Sequence, residues 1–292
     1  MRLVTFDDYR IGVLIDDGVC EVSEVVPGWE PGDLWAMNRL IARWDTLRSR
    51  VEATAAAATP KALDAVRLQA PNPAPMHLFA APANFRAHVN EMVQQFGGGA
   101  GASGDSADTL GFFLKATGSI SGPQDPIALP ARDFPTRRFD HEGEIAFVIG
   151  RRAQGVSPEE AMSYIFGYTI VIDATLRAGD GRHEERVQRK SYASFSPMGP
   201  CITTADEIPD WRQLQVKLWH NGEQKQDARA TDMIVDIPNL LSRASHVLPL
   251  QPGDVYTTGS PPGVGRIAPG DTIVVESPGI GRMQIAVVER DW

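Results

Sequence analysis

The stretch 140–150, DHEGEIAFVIG, constrains the fold more than any other part of the sequence. Its apolar half, IAFVIG, is typical of a buried strand, yet two carboxylates stand at its start, Glu142 and Glu144. Strand side chains alternate between two faces, so these glutamates point the same way, with Gly143 opposite. Neighbouring carboxylates repel each other, and burying them without a partner is costly. The sequence therefore requires a positive group near this strand.

Two kinds of positive group can balance this pair. If the strand end is solvated, the arginines just upstream, Arg137 and Arg138, are sufficient. The alternative is a divalent cation, because several carboxylate oxygens converging on one point are what Mg²⁺, Mn²⁺ or Ca²⁺ requires. Asp173 offers a third oxygen at the end of the apolar run YTIVID, although an acid there can also cap a helix or close a turn.

A second polar group lies in residues 83–91, ANFRAHVNE. On a helix, Asn84, His88 and Glu91 share one face. Glu91 would then accept a hydrogen bond from the His88 ring and hold it as a general base. A surface helix with an ordinary ion pair accounts for the same residues. The glycine-rich stretch that follows, within 94–111, suits a lid over a substrate, and equally a flexible loop without function.

Basic residues gather within residues 177–190 of an acidic chain, and Lys115 follows the apolar run GFFL. They suit the binding of an anionic substrate, or a solvated basic face. The turns at 257–265 and 277–283 are rich in glycine and proline, which lets a ligand approach the backbone but also builds tight hairpins. The basic residues within 177–190 are Arg177, Arg182, His183, Arg186, Arg189 and Lys190.

Composition excludes several classes of partner. The chain has 292 residues and a net charge of −9, which argues against nucleic acid as a partner. No apolar run is long enough to span a bilayer, and the N-terminal residues carry acids where an export signal would be apolar. We therefore expect a cytoplasmic protein that does not bind a membrane. Cys20 and Cys201 are expected to be unpaired thiols.

The order of patterns predicts a mixed α+β, β-rich fold. Residues 2–26 alternate around D-D-G, which indicates a hairpin, and residues 32–57 have the composition and spacing of a helix. The prolines in 70–76 indicate a linker. The chain therefore divides into a small N-terminal domain, 1–72, made of the hairpin and helix, and a catalytic domain, 77–292, dominated by strand-like runs.

Taken in order, these motifs resemble those of the fumarylacetoacetate hydrolase family. The lid motif N-Y-x-x-H-x-x-E is matched by residues 84–91, and the strand F-F-x-K-P by residues 112–116. The paired-glutamate strand D-Y-E-x-E-L-A-V-V-I-G is matched by residues 140–150, and T-G-T-P-x-G-V-G by residues 258–265. Between these two motifs, G-Y-T-x-x-N-D-x-[ST]-x-R is matched by residues 167–177. The motif K-S-x-x-x-F-x-P-x-G-P is matched by residues 190–200. The resemblance covers residues 77–292 and is greatest to the acylpyruvase and 2-hydroxyhepta-2,4-diene-1,7-dioate isomerase branch.

The resemblance implies a mixed β-sandwich roll preceded by a small N-terminal α/β domain, and a homodimer. It also implies a role for each matching residue. The metal ligands would be Glu142, Glu144 and Asp173, holding Mg²⁺ or Mn²⁺, or alternatively Ca²⁺; the catalytic residues would be His88, Glu91 and Lys190; and the substrate-binding residues would be Lys115, Arg177, Asp180 and Ser260.

Departures from the family pattern matter as much as the matches. Ala178 replaces an aspartate and Asp180 replaces a glutamine that helps to bind substrate in some members. Ala116 replaces the proline of the lysine strand, and Phe85 replaces the lid tyrosine. These departures predict retained metal chemistry with an altered substrate pocket.

The expected activity is metal-dependent hydrolysis of a C–C bond in a 3-acylpyruvate or a related 1,3-diketo acid. The same site also suits decarboxylation of oxaloacetate, or isomerisation and hydration of unsaturated keto acids in aromatic catabolism. A non-catalytic relative is the remaining alternative, and Ala178 and Asp180 are its support. In each catalytic reading the partner is a small anionic keto acid.

Overall fold

The computed structural model describes residues 1–96, 105–178 and 184–291. Strands outnumber helices, which confirms the mixed α+β, β-rich class. The helices are α1 (Ala36–Ala42), α2 (Trp44–Ala57), α3 (Arg86–Phe96), α4 (Ala107–Leu110), α5 (Pro158–Ala161), α6 (Arg186–Arg189) and α7 (Ile237–Ser245). The strands are β1 (Arg2–Phe6), β2 (Arg10–Ile15), β3 (Gly18–Glu21), β4 (Lys61–Ala62), β5 (Leu68–Gln69), β6 (Leu78–Ala80), β7 (Phe113–Lys115), β8 (Ile120–Ser121), β9 (Ile127–Pro130), β10 (Phe139–His141), β11 (Gly143–Ile149), β12 (Ile165–Ile172), β13 (Thr175–Leu176), β14 (Ser196–Thr204), β15 (Gln215–His220), β16 (Glu223–Arg229), β17 (Val255–Thr257), β18 (Gly265–Arg266), β19 (Thr272–Ser277) and β20 (Gly281–Arg290).

The described strands form three sheets. The first has the order β4-β3-β2-β1-β14-β12-β11-β17-β6-β7, with β5 paired to β1 and β8 to β14. The second has the order β13-β10-β18, and the third β16-β15-β19-β20-β9. The first and third sheets pack face to face, and Ile145, Ile170, Leu218 and Val275 lie in one buried hydrophobic cluster. No described helix combines the length and apolar character needed to cross a bilayer.

The central pair β11 and β12 positions the acidic residues. The strands are antiparallel, with Gly143 opposite Ile172 and Glu144 opposite Val171. Asp173 follows β12 directly, so it emerges beside Glu142, and its backbone N–H donates to the Glu142 carbonyl at 2.7 Å. One register therefore brings together three carboxylates that are far apart in the sequence.

Gly143 lies on the face opposite the two glutamates, as the alternation predicts. A Cβ added there would be 2.9 Å from Leu218 Cδ1 and 3.2 Å from Gln226 Oε1. Any larger residue at position 143 would therefore have to displace these side chains of the third sheet.

The N-terminal residues contain the predicted hairpin, in which Ile15 pairs with Gly18 across Asp16 and Asp17. The helix predicted over 32–57 is two helices, because Arg43 leaves helical geometry with φ −120° and ψ 18°. This break lets the Trp44 ring meet Phe166 edge-on at 5.1 Å. The break between the two helices thus allows α2 to pack against β12 of the first sheet.

The N-terminal residues share both a sheet and a core with the rest of the chain. Leu3 of β1 lies opposite Ile202 of β14. Leu40 of α1 and Val148 of β11 belong to one buried hydrophobic cluster. The division into domains 1–72 and 77–292 stays a prediction. Both cysteines are buried free thiols, as predicted.

Candidate active site

The three acids predicted as metal ligands lie together in the structure. Glu142, Glu144 and Asp173 are buried, and each offers a carboxylate oxygen within 4.8 Å of the others. Glu142 directly precedes β11, Glu144 lies within it, and Asp173 directly follows the neighbouring strand β12. Burial at this depth contradicts the interpretation of 142 and 144 as a solvated strand end.

Two lysines neutralise part of this acidic cluster. Lys190 Nζ donates to Glu142 Oε2 at 2.7 Å, to Asp173 Oδ2 at 2.6 Å and to Thr175 Oγ1 at 2.7 Å. Lys115 Nζ donates to Asp173 Oδ1 at 2.5 Å and to the Phe195 carbonyl at 2.8 Å. Lys115 is thus a buried partner of the acids rather than a strand exit to solvent.

Arginines complete the counter-charge, but not the two that lie just upstream of the glutamates. Arg177 donates through Nε to Asp140 at 2.7 Å and through Nη2 to Glu142 at 2.5 Å. Arg138 pairs with Asp140 and Arg137 with Glu184. Arg177 therefore takes the place that Arg137 and Arg138 were expected to fill.

The two glutamates differ sharply in their ionisation. Burial, together with the nearby Asp173 and Glu142 carboxylates, raises the pKa of Glu144 to about 8. Burial also acts on Glu142, but Lys190 and Arg177 outweigh it and hold the pKa of Glu142 well below its usual range. Glu144 accepts a backbone N–H from Gly259 at 2.9 Å, and no described lysine or arginine is within salt-bridge distance of it.

This charge distribution fits a divalent cation. Two lysines and one arginine lie against Glu142 and Asp173, yet the third carboxylate, Glu144, has only dipoles for partners. A buried carboxylate of this kind is stable as a neutral acid or beside an added positive charge. Oxygen donors from three acids are the set that Mg²⁺ and Mn²⁺ take. The residues present therefore match the ion that the sequence predicts.

His88 and Glu91 form the expected pair on α3. His88 Nδ1 lies 3.2 Å from Glu91 Oε2, and the carboxylate fixes the tautomer with the proton on Nδ1. Asn84 does not share their helical face, because α3 begins at Arg86. Asn84 instead donates to the carbonyls of Val235 and Thr258, so its role is to hold the start of the helix against two distant loops.

Glu91 also joins α3 to the glycine-rich turn 258–265. Both of its carboxylate oxygens accept the Gly263 backbone N–H at 3.1 Å. In the same turn, Ser260 Oγ accepts from Gln226 Nε2 at 2.9 Å, and Gln226 Oε1 accepts the Gly143 N–H at 2.9 Å. Helix, turn and acidic strand are thus connected by hydrogen bonds.

One cavity of about 230 Å³ brings these groups together. It is lined by the three acids, His88, Lys190, Arg177 and Ser260, and also by Phe113, Ala178, Arg186 and Arg189. Asp180, Arg182 and His183 lie outside the described residues, as does the 97–104 part of the predicted lid.

Sequence reasoning missed two polar residues of this site. Asp140 holds Arg177 against Glu142, and its spacing of two from Glu142 was a signal that could have found it. Gln226 is 1% exposed, whereas its strand EQKQDAR is mostly exposed. No local pattern distinguishes Gln226 from its polar neighbours.

Comparison with known proteins gives one consistent set of relatives. The family described as fumarylacetoacetate (FAA) hydrolase, C-terminal, matches residues 77–288. A maleylpyruvate hydrolase of Aquipseudomonas alcaligenes is 37% identical over 295 residues, covering 98% of this chain and 99% of that protein. An oxaloacetate tautomerase of Bacillus subtilis is 35% identical over 205 residues, covering 70% of this chain and 65% of that protein. A crystal structure of maleylpyruvate hydrolase from Sphingobium sp. SYK-6, in complex with manganese(II) and pyruvate, has a TM-score of 0.85 at 37% identity and covers 99% of each chain.

Proposed function

Since the chain belongs to the fumarylacetoacetate hydrolase family, we propose that it is a metal-dependent hydrolase that cleaves a C–C bond in a 3-acylpyruvate or a related 1,3-diketo acid. The products are pyruvate, in the simplest case, and the acid of the acyl group. The observation that carries this proposal is the cavity that holds three buried carboxylates beside a histidine paired with a glutamate.

Glu142, Glu144 and Asp173 hold the cation in this proposal, which is Mg²⁺ or Mn²⁺. The bound ion supplies a Lewis acid and a template for the keto acid. Support for this part comes from the fit of Glu144 to an added positive charge, and from the relative whose structure contains manganese(II) and pyruvate.

His88 is the general base. Glu91 holds the Nδ1 proton, so Nε2 is free to take a proton from the water that attacks the distal carbonyl. The water oxygen forms the new C–O bond of the released acid. The C–C bond then breaks with its electron pair staying on the pyruvate fragment, which takes up a proton.

Lys190 and Lys115 supply positive charge where negative charge develops. All three N–H groups of Lys190 already donate to Glu142, Asp173 and Thr175, so its contribution is chiefly its charge in a water-poor site. Arg177, Ser260 and Asp180 are proposed to contact the substrate. A homodimer and a cytoplasmic location stay predictions from the family resemblance.

A second candidate keeps the same site and acts on oxaloacetate. Tautomerisation and decarboxylation of oxaloacetate both need a stabilised enolate, which is also the leaving group in C–C hydrolysis. The oxaloacetate tautomerase relative is the observation that favours this candidate.

Pyruvate release from a panel of acylpyruvates and oxaloacetate, with Mg²⁺, with Mn²⁺ and with EDTA, tests the proposal. We expect metal-dependent release from acylpyruvates, with the matching acid as co-product in equal amount. Release from oxaloacetate alone would replace hydrolysis by decarboxylation. No release from any compound would contradict hydrolysis and decarboxylation, and would leave tautomerisation of oxaloacetate, which releases no pyruvate.

A further inference from the structure

Gln226 is a buried amide that connects the third sheet to the candidate active site. It is 1% exposed, whereas its neighbours on β16, Lys225 and Asp227, are exposed. Its side chain approaches β11 at Gly143, where a Cβ would come within 3.2 Å of Gln226 Oε1. Gln226 has no part in the reaction derived above, yet it contacts both the strand of the acids and the turn 258–265.

The hydrogen bonds of Gln226 fix the orientation of its amide. Oε1 accepts the Gly143 N–H at 2.9 Å, and Nε2 donates to Ser260 Oγ at 2.9 Å and to the Pro261 carbonyl at 2.8 Å. The amide cannot be turned over, because a backbone N–H only donates and a backbone carbonyl only accepts. Its NH2 group therefore faces the turn, and Ser260 Oγ is the acceptor in the bond between the two side chains.

This bond decides what the Ser260 hydroxyl offers to a ligand. A hydroxyl has one proton to donate, and since Gln226 already donates to Oγ, the Ser260 proton points elsewhere. One target is the Pro261 carbonyl at 3.2 Å, but that carbonyl also accepts from Gln226 at 2.8 Å. The other direction is the cavity, whose wall includes Ser260. A ligand oxygen in the cavity can therefore accept the Ser260 proton.

Ser260 lies next to the proposed metal ligands. The preceding residue, Gly259, donates its backbone N–H to Glu144 Oε2 at 2.9 Å. Ser260 is 3% exposed, so water competes little and a hydrogen bond to an anionic oxygen is strong there. The family motif has threonine at this position, whose branched Cβ restricts χ1, whereas serine lacks that restriction. The bond from Gln226 supplies the restraint that the serine side chain lacks.

We propose that Gln226 is a positioning residue that commits the Ser260 hydroxyl to donate its hydrogen bond to an anionic oxygen of the substrate, on the carboxylate or enolate of the pyruvate fragment. Loss of Gln226 then weakens ligand binding although Gln226 itself does not touch the ligand. This inference rests on the proposed function, because it places the keto-acid end of the substrate beside Glu144.

Calorimetry of oxalate binding to the Mn²⁺-loaded protein tests this proposal, because oxalate has the planar, anionic oxygens of the pyruvate enolate. Ser260→Ala should weaken oxalate binding about ten- to hundred-fold, the contribution of one hydrogen bond to a charged group. Gln226→Met should reproduce most of that loss, since the Pro261 carbonyl, deprived of its donor, then takes the Ser260 proton. Gln226→Glu should do the same, because the new carboxylate accepts that proton.

The decisive measurement is the coupling between the two positions. In either Gln226 variant, adding Ser260→Ala should weaken oxalate binding further by less than about three-fold, because the hydroxyl no longer donates to the ligand. If Ser260→Ala costs the same factor with and without Gln226, Gln226 does not orient the hydroxyl and the proposal is overturned. An unchanged oxalate affinity in Ser260→Ala alone, which leaves Gln226 in place, would overturn it as well.

Two controls separate orientation of the hydroxyl from support of the strand. Gln224→Met changes the same residue type on the same strand, but Gln224 is exposed and its side chain bonds only to Asp227 among the described residues, so oxalate affinity should stay unchanged. Mn²⁺ affinity should stay within a few-fold in the Gln226 variants. A large fall in Mn²⁺ affinity without coupling to Ser260 would mean that Gln226 acts through Gly143 and the packing of β11, and would overturn the proposal.

Oxalate binding does not require cleavage of a substrate, so failure of this inference is distinguishable from failure of the hydrolase proposal. If acylpyruvates are hydrolysed but the coupling is absent, only the role of Gln226 fails. If the coupling is found but acylpyruvates are not hydrolysed, the role of Gln226 stands and the reaction must be reassigned. No oxalate binding by the unmodified Mn²⁺-loaded protein would overturn the placement of the keto-acid end, and this inference with it.

Discussion

His88 is the residue on which the proposed proton transfer depends. It is 6% exposed, lies on the cavity wall and is held by Glu91, so no bulk water can replace it in the same position. We expect His88→Ala to lower kcat by about a hundred- to ten-thousand-fold, the usual contribution of a general base. Mn²⁺ affinity should stay within a few-fold, because the three acids are unaltered.

The matched control for His88→Ala is His246→Ala. His246 is exposed at the end of α7 and its Nδ1 bonds to the Ser242 carbonyl. Steady-state kinetics and Mn²⁺ titration of both variants check the prediction. Full activity in His88→Ala would eliminate this histidine as the base.

If Glu144 is a metal ligand as proposed, metal binding should depend on pH. With a pKa of about 8 in the metal-free protein, its carboxyl is mostly protonated at pH 7 and must lose that proton to become a ligand. Metal affinity should therefore rise as pH increases towards 8 and level off above it. Calorimetry of Mn²⁺ binding at pH 7 in buffers of different ionisation enthalpy should show release of nearly one proton. No release at pH 7 would contradict the raised pKa.

At the scale of the elements, α3 and the turn 258–265 act as one unit through Glu91 and Gly263. Gly263 has φ +96°, and a Cβ there would lie 1.8 Å from the Lys225 carbonyl oxygen. Gly263→Ala must therefore displace the turn and with it the N–H that fixes Glu91. We expect lower thermal stability and at least a ten-fold fall in kcat, measured by thermal denaturation and steady-state kinetics.

Gly270→Ala is the control for backbone strain alone. Gly270 has φ +95°, and nothing lies within 4 Å of the Cβ that alanine would add. The strained conformation costs about 1–3 kcal/mol at either position. Kinetic parameters of Gly270→Ala should match those of the unmodified enzyme, so an equal fall in kcat for both variants would show that the turn does not position Glu91.

The sequence predicts most of the site where the geometry is local. Glu142 and Glu144 are placed by strand alternation, and His88 and Glu91 by a single helical turn. The environment of Lys115 was not predictable from GFFLK, because its partner Asp173 is 58 positions away in the chain and meets it only after the sheet forms.

Helix boundaries show the same limit. Arg43 interrupts the predicted helix because Trp44 packs on Phe166, and Asn84 falls outside α3 because loops at 235 and 258 bind it. Neither contact leaves a mark in the local sequence. Tertiary contacts thus decide what periodicity leaves open.

At the scale of the whole molecule, residues 1–69 and the strands β11, β12 and β14 should unfold together. Leu40 packs in one cluster with Val148, and β1 is paired to β14. Leu40→Ala should therefore lower the free energy of unfolding by about 2–5 kcal/mol and destabilise both segments. Hydrogen exchange resolved by peptide should show faster exchange in 1–69 and in β11, β12 and β14.

The control for Leu40→Ala is Val247→Ala, since Val247 is 69% exposed and its loss should change stability by less than about 0.5 kcal/mol. If Leu40→Ala accelerates exchange only within residues 1–69, the N-terminal residues unfold separately, and the predicted domain 1–72 is supported instead.

The position of Gly143 between Glu142 and Glu144 limits how this enzyme can evolve. One face of residues 142–144 carries the acids, and on the other a Cβ at position 143 would displace Leu218, whose Cδ1 would be 2.9 Å away. A change on either face disturbs both the chemistry and the packing of two sheets, so this strand offers few neutral mutational steps. New specificities are therefore accessible mainly through segments that border the cavity without crossing the core, such as α6 with Arg186 and Arg189.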